Sequence, residues 1–347
     1  MTSNKQKLKN SIFIIFRVAI SAGILFFLFK TQFNNFKEAA NAFRQPNVNY
    51  WFITLSFTMN LVVFYLIVLR WNMLLRTQKI YVSQSFLLTS YLIGCFFNNF
   101  LPASIGGDIY RIHDTSKLKN SSAAKAATII LIDRFTGLLS SIIYLMVAIA
   151  LGFLRNFDFG FMIQKWKISN QLFVVLIIVL FILAVIIIFL MLYPDFFKLN
   201  KFFKKIRFLH KWENKFRQIY DTLKEFRKSK LILFTNMVLS FMLQLSFTLI
   251  YYFAGLGFGI NKLSLITFIF ITQISIILTM LPISIGGIGI REGTFIILVG
   301  AFGGPRDIAT IVSLVVLVIL LIPGIVGGII YAIRPVVDKK RAAKPSI

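Results

Sequence analysis

Long apolar stretches alternate with short polar ones along the chain. A helix that crosses a bilayer needs about 20 mostly apolar residues. Six runs are that long, at roughly 11–30, 50–69, 126–154, 171–193, 231–255 and 308–333. Two other runs differ. Residues 83–101 end in Leu101-Pro102 and pass into the polar sequence Ser104-Ile-Gly-Gly-Asp-Ile-Tyr-Arg. Residues 264–281 end in Leu281-Pro282, pass through Ser284-Ile-Gly-Gly-Ile-Gly-Ile-Arg-Glu-Gly and finish in the short apolar stretch 294–303. Each pattern predicts a helix that enters the bilayer, breaks at Pro and Gly and turns back. The two hairpins fall at about 83–120 and 264–303. Such breaks survive in lipid only where protein buries them or where they line a cavity.

The hairpins repeat each other. Leu101-Pro-Ala-Ser-Ile-Gly-Gly recurs as Leu281-Pro-Ile-Ser-Ile-Gly-Gly, six identities in seven at an offset of 281 − 101 = 180. The same offset carries Arg111 onto Arg291, the 50–69 span onto 230–249 and the 126–154 span onto 306–334. The chain reads as a single membrane domain, 1–347, built of repeats 11–154 and 171–334. Three full spans separate the hairpins, an odd number, so the repeats face opposite ways. The predicted fold is an all-α polytopic membrane protein. It has six full transmembrane helices, two re-entrant helical hairpins in an inverted-repeat arrangement, and cytoplasmic N- and C-termini. In transporters of this plan the site lies at the midplane, where broken helices meet.

Charge fits that frame. With a cytoplasmic N-terminus, 26 of the 38 Lys and Arg fall in inside segments and 8 in outside ones. The positive-inside rule asks for this bias, and a shifted topology would invert it. The other four, Arg17, Arg111, Arg134 and Arg291, lie in or at the edge of apolar segments. Apolar types make up 58% and charged types 14%, with a mean hydropathy of +0.81; soluble domains run about 45–50% and about 25%. The net charge of +26 therefore reads as topology and attraction to anionic lipid, and no nucleic-acid partner is expected. The single cysteine, Cys95, excludes an internal disulfide, a Cys-based zinc site and an iron–sulfur cluster. No Gly-rich phosphate loop ending in Lys-Ser/Thr occurs, so the chain is not expected to consume ATP, and no cofactor is expected. The first apolar run lacks a small-residue cleavage site, so no cleavable signal is expected.

Ionisable side chains at bilayer depth are costly and presumed functional. The candidates are Asp108, Arg111, Asp133, Arg134, Arg291 and Glu292. About eleven residues separate Arg291 from the Gly303-Gly304-Pro305 turn, or roughly 16 Å of helix, which puts it near the midplane. Arg111 holds the equivalent point of the first repeat. Two arginines converging from opposite sides suit a phosphate or carboxylate, because the guanidinium is always charged and forks onto paired oxygens. Gly106-Gly107 and Gly286-Gly287 leave backbone N–H groups free to aim at the same anion. The competing reading is internal pairing: Arg111 with Asp108 or Asp133, Arg291 with Glu292 or Asp133. Asp133-Arg134 fits either the midplane or the cytoplasmic interface. Asn98 and Asn99 fit either headgroup binding or capping of the broken helix. Arg17 can snorkel to the inner surface. His113 and His210 have no metal-ligand spacing, so no metal site is expected. No nucleophile–base set accompanies Asp108 or Asp133.

The basic segment 194–230 carries Phe202, Ile206, Leu209, Phe216, Tyr220 and Leu223 at three-to-four spacing among Lys and Arg. It predicts an amphipathic helix on an anionic leaflet. Residues 33–43 look like a shorter version on the other face.

Several motifs together carry a resemblance. They are Arg70-Trp71 with Leu74-Leu75, Phe97-Asn-Asn-Phe-Leu-Pro102, Gly106-Gly107-Asp108 with Arg111, Asp133-Arg134, and Leu281-Pro-Ile-Ser-Ile-Gly-Gly with Arg291-Glu292-Gly293. The sequence resembles the lysylphosphatidylglycerol synthase transmembrane-region family, also called flippase-like, from about 11 to 334. It departs in having Ala-Ser where Gly is common before the first Gly pair, and Asp133 where Glu is common. The resemblance implies a bacterial or archaeal inner-membrane protein that moves a lipid with a charged headgroup between leaflets. Larger members fuse this region to a soluble aminoacyl transferase domain. The chain is expected to lack that domain and its synthase activity, since it runs only fourteen residues past the last span, 334–347.

The expectation is a lipid translocase rather than an enzyme. Arg111 and Arg291 grip a membrane phospholipid's phosphate, and Asp108, Glu292 and Asp133 hold those arginines when the pocket is empty. Two rivals stand beside it. One is an intramembrane transferase acting on a lipid or polyprenyl-phosphate donor, with Asp108 as its carboxylate. The other is a non-catalytic partner of a separate lipid-modifying or glycosyl-transferring enzyme, docking through 194–230.

Overall fold

The computed structural model describes residues 48–99, 105–154, 213–280 and 287–342, with isolated positions in 37–44 and 175–186. Among these residues every element is a helix and there is no strand. The elements are α1 (Tyr50–Thr77), α2 (Gln84–Asn98), α3 (Ile105–Ser116), α4 (Ala123–Leu154), α5 (Glu213–Lys228), α6 (Lys230–Gly257), α7 (Leu265–Thr279), α8 (Ile290–Ala301) and α9 (Arg306–Ala342). Four of them, α1, α4, α6 and α9, are long and apolar enough to cross a membrane. They sit where the runs at 50–69, 126–154, 231–255 and 308–333 predict spans. The runs at 11–30 and, apart from isolated helical positions, 171–193 lie outside the described residues, as do Arg17, His210, Gly286 and both Leu-Pro steps.

The helices beside those steps are short. The 15 residues of α2 and of α7 make about 22 Å and the 12 residues of α3 and of α8 about 18 Å, against a hydrocarbon core of about 30 Å. Ser83 starts α2 by accepting the Phe86 N–H at 3.3 Å. Ser264 starts α7 in the same way, from Thr267 at 3.3 Å. Each hydroxyl satisfies one of the orphan donors of a helix N-terminus.

Packing comes in matched pairs. α2 packs on α9 as its counterpart α7 packs on α4, and α3 packs on α4 as α8 packs on α9. The closest partners are α1 and α6, whose bounds differ by the 180-residue offset at both ends. They run antiparallel: Asn49 N–H donates to the Gly257 carbonyl at 2.9 Å, Ser56 Oγ to Ile250 at 2.8 Å and Asn236 Nδ2 to Arg70 at 3.5 Å. The last two bonds are images of each other, since the offset carries Ser56 onto Asn236 and Arg70 onto Ile250. Lipid tails are as apolar as leucine, so such bonds and close backbone approach hold helices together in a bilayer. Gly327 supplies one approach, because a Cβ there would run into the Leu92 carbonyl.

Two large apolar cores result among the described residues, beside a small cluster of Leu317 and Leu321. The larger joins α1, α4, α6, α7, α8 and α9 around the fully buried Phe268, Phe295 and Val316. The smaller joins α1, α2, α4 and α5 around Trp71, Leu75, Ile129 and Phe226. The second core corrects one expectation. The apolar stripe of 194–230 was assigned to the leaflet, yet Leu223 and Phe226 of α5 are buried against protein. Three-to-four spacing reports an apolar face but not what covers it. The earlier part of the stripe, Phe202 to Leu209, lies outside the described residues.

Candidate functional site

The end of α2 and the start of α3 are drawn together. Asn98, the last residue of α2, accepts the Gly107 N–H through Oδ1 at 2.6 Å. Of the two uses open to this amide, the bond shows the cap: it satisfies a free donor in the first turn of α3. Gly94 lets the arms meet, since a Cβ there would stand 3.3 Å from Gly107 Cα. Gly106 is buried in the same turn. Asn99 faces α9, where a Cβ on Gly324 would strike its amide nitrogen.

One turn further along α3, Asp108 and Arg111 share a face. Across from them α4 presents Asp133 and Arg134. Asp133 Oδ2 lies 3.1 Å from Arg111 Nη2 and its Oδ1 2.9 Å from Arg70 Nη2. The same Arg70 nitrogen also donates to the Asp133 carbonyl at 2.9 Å and to Thr136 Oγ1 at 3.1 Å. Asp108 takes Arg134 Nε at 2.7 Å and lies 3.7 Å from Arg111 Nη1. Arg111 therefore reaches both aspartates, and its guanidinium carbon sits 4.3 Å above the Trp71 ring, a cation–π contact. The Nε atoms of Arg70 and Arg111 are buried with no hydrogen-bond partner among the described residues.

The second repeat is built differently. Arg291 donates Nε and Nη2 to Glu292 Oε1 at 3.0 and 2.7 Å, while Glu292 Oε2 accepts the Gly289 N–H at 2.7 Å. The sequence offset makes Arg111 and Arg291 equivalent, but their places on the helices are not. Arg111 is the seventh residue of α3 and Arg291 the second of α8. Gly289 explains the shift: it takes φ +86°, a left-handed value that ends the helix there. Its counterpart by the offset is Ile109, whose β-branched side chain disfavours that conformation, so α3 continues back to Ile105. Gly287, also left-handed at φ +77°, packs against Thr279.

These parts enclose a cavity of about 280 Å³. Arg70, Asp108, Arg111, Asp133 and Arg134 form its charged wall, with Asn98 and Gly107 beside them. Arg291, Gln244, Tyr251 and Thr279 line it as well. Glu292 stands behind Arg291, buried. Asn99, Gly106 and Gly287 support the hairpins without lining the cavity. Both pairing alternatives for Arg111 are realised together, Arg291 takes Glu292, and Asp133-Arg134 faces the cavity.

The family model for the lysylphosphatidylglycerol synthase transmembrane region matches residues 14–328. The chain belongs to that family. Among its relatives in the family, the UPF0104 membrane protein PH1989 of Pyrococcus horikoshii is 25% identical over 292 residues, covering 80% of this chain and 86% of the relative. A UPF0104 membrane protein of Methanothermobacter thermautotrophicus is 22% identical over 276 residues, covering 75% and 78%. With the apolar helices, the match makes the chain a multi-pass integral membrane protein of the lysylphosphatidylglycerol synthase transmembrane-region family.

Sequence reasoning missed Arg70 as a site residue. It stands just past the 50–69 run, where a charge reads as interfacial, but it is only 4% exposed and lies 2.9 Å from Asp133. Its flanks were the available signal: apolar residues precede it without a break and Trp71, Leu74 and Leu75 follow. Gln244, Tyr251 and Thr279 were missed because uncharged polar residues in a span carry no mark of their orientation.

Proposed function

We propose that this protein is a lipid translocase of a bacterial or archaeal inner membrane. It moves a phospholipid, or another lipid with a charged headgroup, between leaflets. The observation that carries this reading is a charge mismatch. Among the described residues the cluster holds four arginines, Arg70, Arg111, Arg134 and Arg291, against three carboxylates, Asp108, Asp133 and Glu292, an excess of one positive charge. An excess charge at bilayer depth costs several kcal/mol. A phosphodiester brings the one negative charge needed, and its paired oxygens match the guanidinium fork.

The route follows from the repeats. Antiparallel packing of the equivalent helices α1 and α6 supports an inverted arrangement, because repeats related by an axis along the membrane normal would run these helices parallel. The short arms α2, α3, α7 and α8 support hairpins that enter and leave on one side. Asn98, Gly107, Thr279 and Met280, beside their breaks, line the cavity, so rocking one repeat on the other would open it to each leaflet in turn. The acyl tails stay in the bilayer while the headgroup crosses. Lipids of both relatives' archaeal membranes and of bacterial membranes meet the requirement of a charged headgroup on apolar tails.

The test is leaflet exchange of a fluorescent phospholipid in vesicles reconstituted with the protein. Arg291→Ala is expected to abolish exchange while leaving the helical content intact. Exchange at the unmodified rate would remove the arginine from the mechanism and the proposal with it.

A further inference from the structure

We infer that Tyr251 is a headgroup-binding residue of the same cavity, donating its buried hydroxyl to a non-bridging oxygen of the lipid phosphate. The inference rests on the anion-site reading above. The repeat relationship singles the residue out. α1 spans Tyr50–Thr77 and α6 spans Lys230–Gly257, so the offset of 180 carries Trp71 onto Tyr251 just as it carries Arg111 onto Arg291. In the first repeat the aromatic ring lies under the arginine and fills the guanidinium face. In the second, the aromatic residue that the offset brings into register carries a hydroxyl, and it borders the same cavity as Arg291.

Packing does not account for that hydroxyl. The Tyr251 ring stacks at a tilt on Phe295, centroids 4.8 Å apart, within the larger core. Phenylalanine would make the same contact. The residue is 5% exposed, and its hydroxyl oxygen is buried with no hydrogen-bond partner among the described residues. A buried donor left unmade is destabilising, so each one in a native fold calls for an explanation. Tyr251 also lines the cavity, as Arg111, Arg134 and Arg291 do. A phosphate seated on Arg111 and Arg291 presents oxygens with lone pairs to spare, and a phenol is a donor that stays neutral there. It adds a hydrogen bond without adding to the positive charge.

The experiment is thermal unfolding of the full chain in neutral detergent, with added phosphatidylglycerol or, as a phosphate-free control, diacylglycerol. Tyr251→Phe is expected to unfold at the same temperature as the unmodified protein or higher when no lipid is added. Its affinity for phosphatidylglycerol should fall about tenfold, the usual weight of one hydrogen bond to a charged group. Diacylglycerol should shift neither protein. A phosphatidylglycerol shift equal to that of the unmodified protein would remove Tyr251 from the site. So would a lower unfolding temperature without lipid combined with an unchanged lipid shift, which marks a purely structural hydroxyl. If the unmodified protein itself gains nothing from phosphatidylglycerol, the anion-site reading fails instead, and Arg291→Ala will show no difference either.

Discussion

Asp133 on α4 reaches across to α3 and holds Arg111 Nη2 at 3.1 Å through Oδ2. Its other oxygen holds Arg70 of α1 at 2.9 Å. One carboxylate thus ties three helices, and two guanidinium groups depend on it. Asp133→Asn keeps the shape and removes the charge. Breaking a buried pair leaves its partners uncompensated at a cost of about 3–5 kcal/mol. Asp108 is more exposed, at 19%, and its nearest partner Arg134 is 33% exposed, so water screens that pair more. In detergent, Asp133→Asn should lower the unfolding temperature well beyond Asp108→Asn. Equal shifts would contradict the central role of Asp133.

Gly327 lets α9 lie against the backbone of α2. A Cβ there would point into the Leu92 carbonyl, which cannot swing aside as a side chain can. Gly327→Ala should cost about 1–3 kcal/mol from overpacking. Gly293, on α8, meets no atom of the described residues at the same position, so Gly293→Ala should stay within about 0.5 kcal/mol. Thermal unfolding of the two variants side by side is the measurement, and similar losses would refute the close approach.

The Asn98 cap makes a local prediction. Asn98→Ala deprives the Gly107 N–H of its acceptor at 2.6 Å and should cost about 1 kcal/mol. Hydrogen exchange at the Gly107 amide should then quicken, while amides in the middle of α6 keep their protection. Unchanged exchange at Gly107 would argue against the cap.

At the far end of α3, Arg334 of α9 donates Nη1 to Asp114 Oδ2 at 2.7 Å and to the Tyr110 hydroxyl at 2.9 Å. Its guanidinium also lies 5.4 Å from the Phe86 ring centre. This ion pair bolts α3 to α9. A double-mutant cycle of Arg334→Ala with Asp114→Asn should give a coupling on the order of 1 kcal/mol or more. Additive losses would mean that the two side chains do not work as a pair.

Much of the site could be read before any coordinates. Charges isolated in apolar runs picked out Asp108, Arg111, Asp133, Arg134 and Arg291, all of which line one cavity, and the helices beside both Leu-Pro steps are short. Arg70 escaped because it stands at the border of a span, where a charge normally means water. The apolar side of α5 was assigned to lipid because a periodic stripe looks the same whether lipid or protein lies beneath it.

The linear pattern was sufficient for whatever depends on near neighbours and on counting. It located the spans at 50–69, 126–154, 231–255 and 308–333, the breaks between the short helices and the 180-residue offset, because hydrophobic length and backbone breaking are local properties. Which charges meet is not local. Asp133 is 63 residues from Arg70 and 22 from Arg111, and the partition of its two oxygens between them arises from how α1, α3 and α4 pack. The unequal starts of α3 and α8, and the placing of Trp71 under Arg111, likewise came from folding. Ion pairs and ring contacts act over a few ångströms, and only packing brings residues so far apart in the chain within that range.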